Sequence, residues 1–196
     1  SEHGVGVFRI FDALNDVTNL KTAIAAALEA KEKPHVQGCL VYTISPFHTN
    51  QTFVDLAIKL KEMGVHSICI KDMSGLLKPY VAEDLVKKLK EQVGLPIELH
   101  THYTSGFGSM TYLKAIEAGV DIIDCALSPL ANDTSQPCTE TIVATLEGLP
   151  RDTGLDRQAM DPIAKHFLKV KKEIMKEFNL PGYFDVNPKV LDFQIP

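Results

Sequence analysis

The feature that most constrains the fold of this 196-residue chain is a glycine placed between an amphipathic stretch and an apolar run, which occurs three times. The three joints are Met63-Gly64-Val65, Val93-Gly94-Leu95 and Ala118-Gly119-Val120. A glycine just past a helix end adopts, without steric cost, the left-handed conformation that closes the last turn. Each joint therefore predicts the end of a helix and a strand that follows at once.

Apolar runs rich in β-branched residues recur roughly every thirty residues and predict five buried strands. The predicted strands are Val5–Phe11, Val36–Ile44, Ser67–Lys71, Ile97–His102 and Asp121–Leu127. The predicted helices are Asn19–Lys31, Asn50–Met63, Pro79–Gln92, Gly108–Ala118, Cys138–Glu147 and Pro162–Phe178, the last with Asp161 as its N-cap. Strands that alternate with helices in this way indicate right-handed βαβ units and a parallel sheet.

This alternation suits both a (β/α)8 barrel and an open doubly wound sheet, and two observations favour the barrel. The predicted strands finish in polar residues, and in a barrel the carboxyl ends of all strands face one active-site mouth. The sequence has no glycine-rich turn between a strand and a helix, which dinucleotide-binding open sheets use. We therefore predict an α/β fold, a partial TIM (β/α)8 barrel made of about its last five βα units plus C-terminal helices. Because five strands cannot close the barrel, we expect residues 1–196 to be one barrel fragment, with N-terminal strands and a C-terminal continuation outside it.

Composition excludes several classes of function. The formal net charge is −5 and the basic residues are scattered, so the chain lacks the basic patch that nucleic acids require. No apolar run approaches the roughly 20 residues that cross a bilayer, and we expect a cytoplasmic protein that reaches a membrane only through a partner. None of the four cysteines pairs with another at a metal-binding or redox spacing, which predicts free thiols.

His100 and His102 are the first candidate site residues. They lie two positions apart on a predicted strand, so both imidazoles project from the same face. Two neutral ring nitrogens in this arrangement can bind one metal ion, whereas the alternative is a pair of histidines that are hydrogen-bonded to their neighbours. Their shared face, directed at the mouth, favours the metal site.

Lys71 ends the preceding predicted strand and enters the same mouth. A buried ammonium group without a partner is costly, so three interpretations compete. The amine pairs with Asp72 or with a substrate carboxylate, it has a low pKa and forms a Schiff base, or it is carbamylated by carbon dioxide and becomes a carboxylate-like metal ligand. A neighbouring metal ion would repel an ammonium group, which favours the carbamate.

The polar loop 128–137 follows the fifth strand on the same rim and carries hydroxyl and amide groups that suit a small anionic substrate. Such residues are also ordinary in turns, so it is the position of the loop that makes Thr134 and Ser135 candidate substrate-binding residues. Asp12 ends the first strand, either as a helix cap or as a supporting residue of the site. Arg9 lies within that strand and needs a carboxylate partner if it faces inward.

Four motifs, taken together and in order, resemble those of one family. They are Phe8-Arg9-Ile10-Phe11-Asp12, Lys71-Asp72-Met73, His100-Thr101-His102 and Thr134-Ser135-Gln136-Pro137. The chain resembles, over essentially its whole length, the carboxyltransferase domain of biotin-dependent enzymes, including pyruvate carboxylase and the transcarboxylase large catalytic subunit. The stretch 112–156 is most similar to the oxaloacetate decarboxylase alpha subunit and to the separate carboxyltransferase subunit of two-subunit pyruvate carboxylases.

The resemblance implies an enzyme that transfers a carboxyl group between oxaloacetate or pyruvate and biotin, through a metal-stabilised enolate. It implies a divalent metal ion (zinc, cobalt or manganese) bound by His100, His102 and a carbamylated Lys71, which makes Lys71 a catalytic residue as well. Thr134 would contact the substrate and move a proton between the pyruvate methyl group and biotin. The implied partners are a separate biotin carrier domain, membrane-bound decarboxylase subunits and further copies of the chain. A further aspartate metal ligand with its neighbouring glutamine, and a substrate-binding arginine, are expected outside residues 1–196.

Other functions stay open on the sequence alone. A metal-dependent aldolase or lyase of the wider barrel group shares the His-x-His strand ending, although the context of Lys71 and the Thr-Ser-Gln-Pro loop speak against it. A Schiff-base aldolase would use Lys71 as its nucleophile. The chain could also be a non-catalytic fragment or a docking module for a carrier domain.

Overall fold

The computed structural model of the chain describes residues 3–181, and in this range strands alternate with helices as far as the fifth strand. The strands are β1 (Val7–Ile10), β2 (His35–Val41), β3 (Ser67–Asp72), β4 (Ile97–Thr101) and β5 (Ile122–Ile123). The helices are α1 (Val17–Glu29), α2 (Asn50–Glu62), α3 (Pro79–Gln92), α4 (Gly108–Glu117), α5 (Thr139–Leu146) and α6 (Arg157–Glu177), with a short 3-10 helix at Ser128–Leu130. All the predicted strands and helices are present, although β5 is much shorter than predicted.

The five strands form one parallel sheet in the order β1-β2-β3-β4-β5. Each strand thus lies beside its neighbour in sequence, as in the wall of a (β/α)8 barrel. A doubly wound sheet would instead reverse its strand order at a switch point. The order of the strands confirms the predicted partial barrel.

The two faces of the sheet have opposite chemistry. One face packs against the helices through a continuous apolar core, whose strand residues include Val36, Leu40, Ile68, Ile70, Ile97 and Leu99. The other face is the barrel interior, and it carries polar side chains instead. Since side chains alternate along a strand, this second face receives Gln37 of β2, Lys71 of β3, and Glu98 and His100 of β4.

The glycine joints have the conformation that the sequence predicts. Gly64, Gly94 and Gly119 follow α2, α3 and α4 with φ values of 91°, 70° and 98°. Their position lets each helix stop and the chain turn directly into the next strand. The spacing of these joints therefore sets where β3, β4 and β5 begin.

The predicted start of the last helix is wrong. The helix α6 begins at Arg157 and its N-cap is Asp156, whose side chain accepts a hydrogen bond from the Gln158 backbone N–H. Pro162, predicted as the first helical residue, lies inside the helix, so Asp161 is not the cap. Proline lacks one backbone donor, a loss that this largely exposed helix tolerates in its second turn.

Three broader predictions concern the chain as a whole. The cysteines Cys39, Cys69, Cys125 and Cys138 are free, as predicted. No helix within residues 3–181 has the length and apolar character needed to cross a membrane. The predicted fragment limits extend into residues 182–196, which lie outside the described residues.

Candidate metal and substrate site

His100 and His102 meet at the carboxyl end of β4, with their Nε2 atoms 3.2 Å apart. The other ring nitrogen of each histidine is engaged. His100 Nδ1 lies 2.8 Å from Asp124 Oδ2, and His102 Nδ1 lies 2.6 Å from the Thr134 carbonyl oxygen. The structure thus confirms that both imidazoles share one face and anchors each from behind.

These anchors decide where the ring protons lie. A carbonyl oxygen and a carboxylate only accept hydrogen bonds, so each Nδ1 donates and each neutral ring presents a lone pair at Nε2. The Gln136 amide nitrogen, 3.3 Å from His102 Nε2, also donates to that lone pair. Two lone pairs that face each other repel unless a proton or a cation lies between them.

The donor set fits a divalent metal ion. With metal–nitrogen bonds of about 2.0–2.1 Å, two imidazoles on one ion have nitrogens about 3.0–3.4 Å apart, and the observed separation is 3.2 Å. A metal-binding histidine commonly donates its other N–H to a carboxylate or a carbonyl, as both do here. Within residues 3–181 no group of three His, Cys, Asp or Glu side chains is arranged to hold an ion, so a further ligand must be of another kind.

Lys71 is the neighbour of this pair. It is in register with His100 across β3 and β4, and its Nζ lies 5.1 Å from the centre of the Phe11 ring. Among the described residues no aspartate or glutamate forms an ion pair with it. The amine therefore lies beside the histidines with an aromatic ring, rather than a counter-ion, against it.

The predicted pairing of Lys71 with Asp72 is wrong, because adjacent strand residues face opposite ways. Asp72 is fully buried on the helix side, where it accepts hydrogen bonds from the backbone N–H groups of Leu76 and Leu77, each at 2.9 Å, and from the Thr101 hydroxyl at 2.7 Å. Burial raises the pKa of the Asp72 carboxyl. Asp72 thus ties the end of β3 to β4 and to the turn that follows.

Gly75 lies in that turn, at the point of closest approach to the histidines. Its φ is +67°, and an added Cβ would meet the His102 carbonyl oxygen at 2.5 Å. A side chain is excluded on both grounds. The absence of one lets the turn after β3 pack directly on the backbone that carries His102.

The predicted substrate loop reaches the histidines through its backbone. Besides the Thr134 carbonyl bond to His102, Tyr103 N–H donates to the Ser135 carbonyl at 2.7 Å. Asn132 and Asp133 hold consecutive positive φ values of 64° and 62°, which L-residues adopt at a cost. This strain turns the chain so that Thr134 and Ser135 lie beside His102, with the side chain of Thr134 exposed.

Asp12 lies at the same rim but is engaged in its own turn. Its carboxylate accepts hydrogen bonds from the backbone N–H groups of Leu14 and Asp16, and from the Asn19 amide at 3.0 Å. These bonds, first that from Asp16, lower the pKa of Asp12. The helix-cap interpretation of Asp12 accounts for these contacts, and its role as a supporting site residue stays a prediction.

Arg9 has the carboxylate partners that an inward-facing arginine needs. Its guanidinium bonds Asp124 Oδ2 at 2.6 Å, the Glu98 carboxylate, and Gln37 Oε1 at 2.7 Å. Although burial raises the pKa of Asp124, hydrogen bonds from His100 and Arg9 hold it well below its usual range. Asp124 is therefore an ionised acceptor for His100.

Sequence reasoning missed Glu98, Gln37 and Asp124 as residues connected to the site. The signal for Glu98 was present, since it precedes His100 by two positions and must share its face. Gln37 and Asp124 carry no such local signal, because their contact with Arg9 depends on the strand register.

With this geometry in place, the relatives of the chain can be compared with it. A protein-family model described as HMGL-like matches residues 14–166. The chain belongs to the HMGL-like family. The match includes Lys71, both histidines and the Thr134 loop, so it covers the residues of the candidate site.

Individual relatives are more specific. One of the two subunits of pyruvate carboxylase from Methanocaldococcus jannaschii is 53% identical over 195 residues, covering 100% of this chain and 34% of that protein. The 2-oxoglutarate carboxylase large subunit of Hydrogenobacter thermophilus is 41% identical, covering 100% of this chain and 30% of that protein. The solved carboxyl transferase domain of Rhizobium etli pyruvate carboxylase superposes with a TM-score of 0.84 at 40% identity, covering 87% of this chain and 29% of that one.

These matches confirm the predicted resemblance to carboxyltransferase domains and the barrel type of the fold. The chain spans about a third of the length of the curated relatives it matches. The site described above is thus the part of an HMGL-like barrel wall that β1–β5 and the Thr134 loop contribute.

Proposed function

We propose that this chain forms part of the carboxyltransferase barrel of a biotin-dependent enzyme that moves a carboxyl group between oxaloacetate or pyruvate and biotin. The observation that carries the proposal is the pair of facing Nε2 atoms of His100 and His102, 3.2 Å apart and anchored through both Nδ1 atoms. Its register with Lys71 and the similarity to carboxylases of 41–53% identity favour this function over an aldolase.

His100, His102 and Lys71 would hold a divalent metal ion, for which zinc, cobalt and manganese are the candidates. Such an ion supplies positive charge beside an enolate that develops on the substrate. For Lys71 to serve as a ligand, its neutral Nζ would form a bond to the carbon of carbon dioxide and release a proton to solvent. The resulting carbamate oxygens are negative and suit a metal site, which the ammonium form does not.

Thr134 and Ser135 would contact the substrate, with Asp12 supporting the rim from β1. The Thr134 hydroxyl would accept a proton from the pyruvate methyl carbon and return it in the opposite direction, in place of bulk water. The partners that this function requires are pyruvate or oxaloacetate and a biotin carrier domain. Membrane-bound decarboxylase subunits and further copies of the chain are part of the same proposal, as is the place of residues 1–196 within a longer barrel protein.

Metal analysis tests the proposal directly. We expect the purified protein to contain about one divalent ion per chain and the His100→Ala/His102→Ala variant to contain none, as measured by inductively coupled plasma mass spectrometry. His166→Ala is the matched control, because His166 is an exposed histidine on α6. Equal metal content in the double variant and the wild type would contradict the site.

The role of Lys71 has a test of its own. We expect Lys71→Ala to weaken metal binding and to abolish carboxyl transfer, and removal of bicarbonate from the wild type to weaken metal binding reversibly. A Schiff-base function predicts instead that borohydride with pyruvate leaves a stable adduct on Lys71, detectable by peptide mass spectrometry. Such an adduct, together with unchanged metal affinity in Lys71→Ala, would replace the carbamate proposal.

A further inference from the structure

A hydrogen-bonded group of four polar side chains lies in the barrel interior beneath the histidines. Arg9 is at its centre and contacts one residue from each of three other strands or strand ends: Gln37, Glu98 and Asp124. Gln37 in turn donates to Glu98 Oε2 at 2.7 Å. Three donors of one guanidinium are thus directed at three different partners, a geometry that only the planar fork of arginine provides.

The group connects to the candidate metal site at a single atom. Asp124 Oδ2 accepts both from Arg9 Nη1 at 2.6 Å and from His100 Nδ1 at 2.8 Å. β5 is only two residues long and ends just before Asp124, so the strand ladder does little to hold this side chain. Its position relative to His100 is set instead by Arg9, which is itself held by Glu98 and Gln37 from the far side.

We propose that Arg9 is a positioning residue for the metal site, acting through Asp124 to fix the tautomer and the ring orientation of His100. This inference rests on the proposed function, since it assumes that His100 binds a metal ion. A charged, immobilised acceptor keeps the proton on Nδ1 and the lone pair on Nε2 directed at His102. Outer partners of metal-binding histidines act in this way, and their removal typically lowers metal affinity by about 10- to 100-fold.

Removing Arg9 alone would leave Glu98 and Asp124 close together without a cation, and the variant could fail to fold for that reason. The test therefore compares Glu98→Gln with Arg9→Met/Glu98→Gln, in which a positive and a negative charge are removed together. Each metal-free protein is titrated with Co²⁺, with the visible absorption of the bound ion recorded. Relative to Glu98→Gln, we expect the double variant to bind Co²⁺ about 10- to 100-fold more weakly, with an altered visible band.

Lys90→Met is the matched control. Lys90 pairs with Asp121 just before β5, as Arg9 pairs with Asp124 just after it, but at the opposite edge of the sheet. Its loss should leave the affinity and the band unchanged.

Each outcome of the titration decides a different question. If Arg9→Met/Glu98→Gln binds Co²⁺ as tightly as Glu98→Gln, with the same band, the positioning role of Arg9 is overturned while the metal site stands. Failure of the wild type to bind Co²⁺ would overturn the proposed function instead, so the two failures are distinguishable. A double variant that does not fold, judged by circular dichroism against Glu98→Gln, would count against a positioning role and for a structural one.

Discussion

His102 illustrates how a side chain in this site is held by groups remote from it in sequence. Its Nδ1 donates to the Thr134 carbonyl oxygen, 32 positions further along the chain, and its own carbonyl lies against Gly75. The ring is therefore fixed by main-chain atoms, which are present whatever side chain the neighbouring residue bears. Substitutions in the loop consequently separate the support of the metal site from the chemistry of the Thr134 hydroxyl.

Thr134→Ala is the substitution that makes this separation. Alanine retains the carbonyl that accepts from His102 and removes only the hydroxyl, so we expect full metal content and a fall in carboxyl transfer of about 10²- to 10⁴-fold. Transfer would be measured with oxaloacetate and free biotin, and metal content by elemental analysis.

Thr134→Ser is its control, because serine restores a hydroxyl on the same backbone. We expect it to recover most of the transfer that the alanine variant loses. An alanine variant with undiminished transfer would assign the proton relay to another group, and one that has lost its metal would show that the loop backbone had moved.

At the scale of single elements, α4 supports the site from behind the sheet. Tyr112 is fully buried, and its hydroxyl accepts from the Thr101 N–H at 3.2 Å and donates to the Asp124 carbonyl. Thr101 lies between the two histidines, and Asp124 anchors His100. One hydroxyl of the helix layer thus joins β4 to the segment that follows β5.

Tyr112→Phe should lower the free energy of unfolding by about 1–3 kcal/mol, because it leaves a buried N–H and a buried carbonyl without their partner. Urea denaturation monitored by circular dichroism measures the change. Tyr80→Phe serves for comparison, since Tyr80 is 75% exposed and its loss of a hydroxyl should cost less than about 0.5 kcal/mol. Equal effects in the two variants would mean that the Tyr112 hydroxyl does not join the strands.

The elements were largely predictable from the sequence, and the reasons are local. A glycine past a helix end, as at Gly94, and the apolar run after it involve neighbouring residues only, so α3 begins and ends at the predicted residues. The prediction failed where two local signals competed, since Pro162 suits a first helical turn but Asp156 caps the helix more than one turn earlier.

The site was predictable only where parity along a strand sufficed. His100 and His102 follow from their spacing, whereas the contact of Arg9 with Asp124 joins residues 115 positions apart. That contact depends on which strands are neighbours and on their register, and no periodicity within a single strand contains this information. The orientation of Asp72 could have been predicted, because it must face away from Lys71.

At the scale of the whole molecule, the two edges of the sheet have separate tasks. The carboxyl edge carries the candidate site, while at the amino edge Asp121 accepts from Lys90 Nζ and from the Ile97 N–H, both at 2.7 Å. These bonds join α3, β4 and β5 at a distance from the mouth. Stability and metal binding should therefore be separable by substitutions at opposite edges.

Asp121→Asn tests the amino edge through its pH dependence. Although burial opposes it, the hydrogen bonds from Lys90 and Ile97 lower the pKa of Asp121 in the folded chain. The stabilisation is therefore present above the unfolded pKa of about 3.9 and is lost as pH falls through the lower folded value. We expect the variant to be less stable than the wild type at pH 7 and the difference to shrink below about pH 4, as measured by urea denaturation. A difference that is constant with pH would exclude the carboxylate charge as its cause.

The alternation of side chains along β3 and β4 also bears on how such a chain can evolve. Ile68 and Ile70 answer only to packing, whereas Lys71 and His100, on the opposite face, answer to chemistry. Selection therefore acts on successive positions by different criteria, with conservative exchange among aliphatic residues admitted at one and refused at the next. An insertion or deletion of one residue within either strand would exchange the two sets at once, so these strands can drift in composition but not in length.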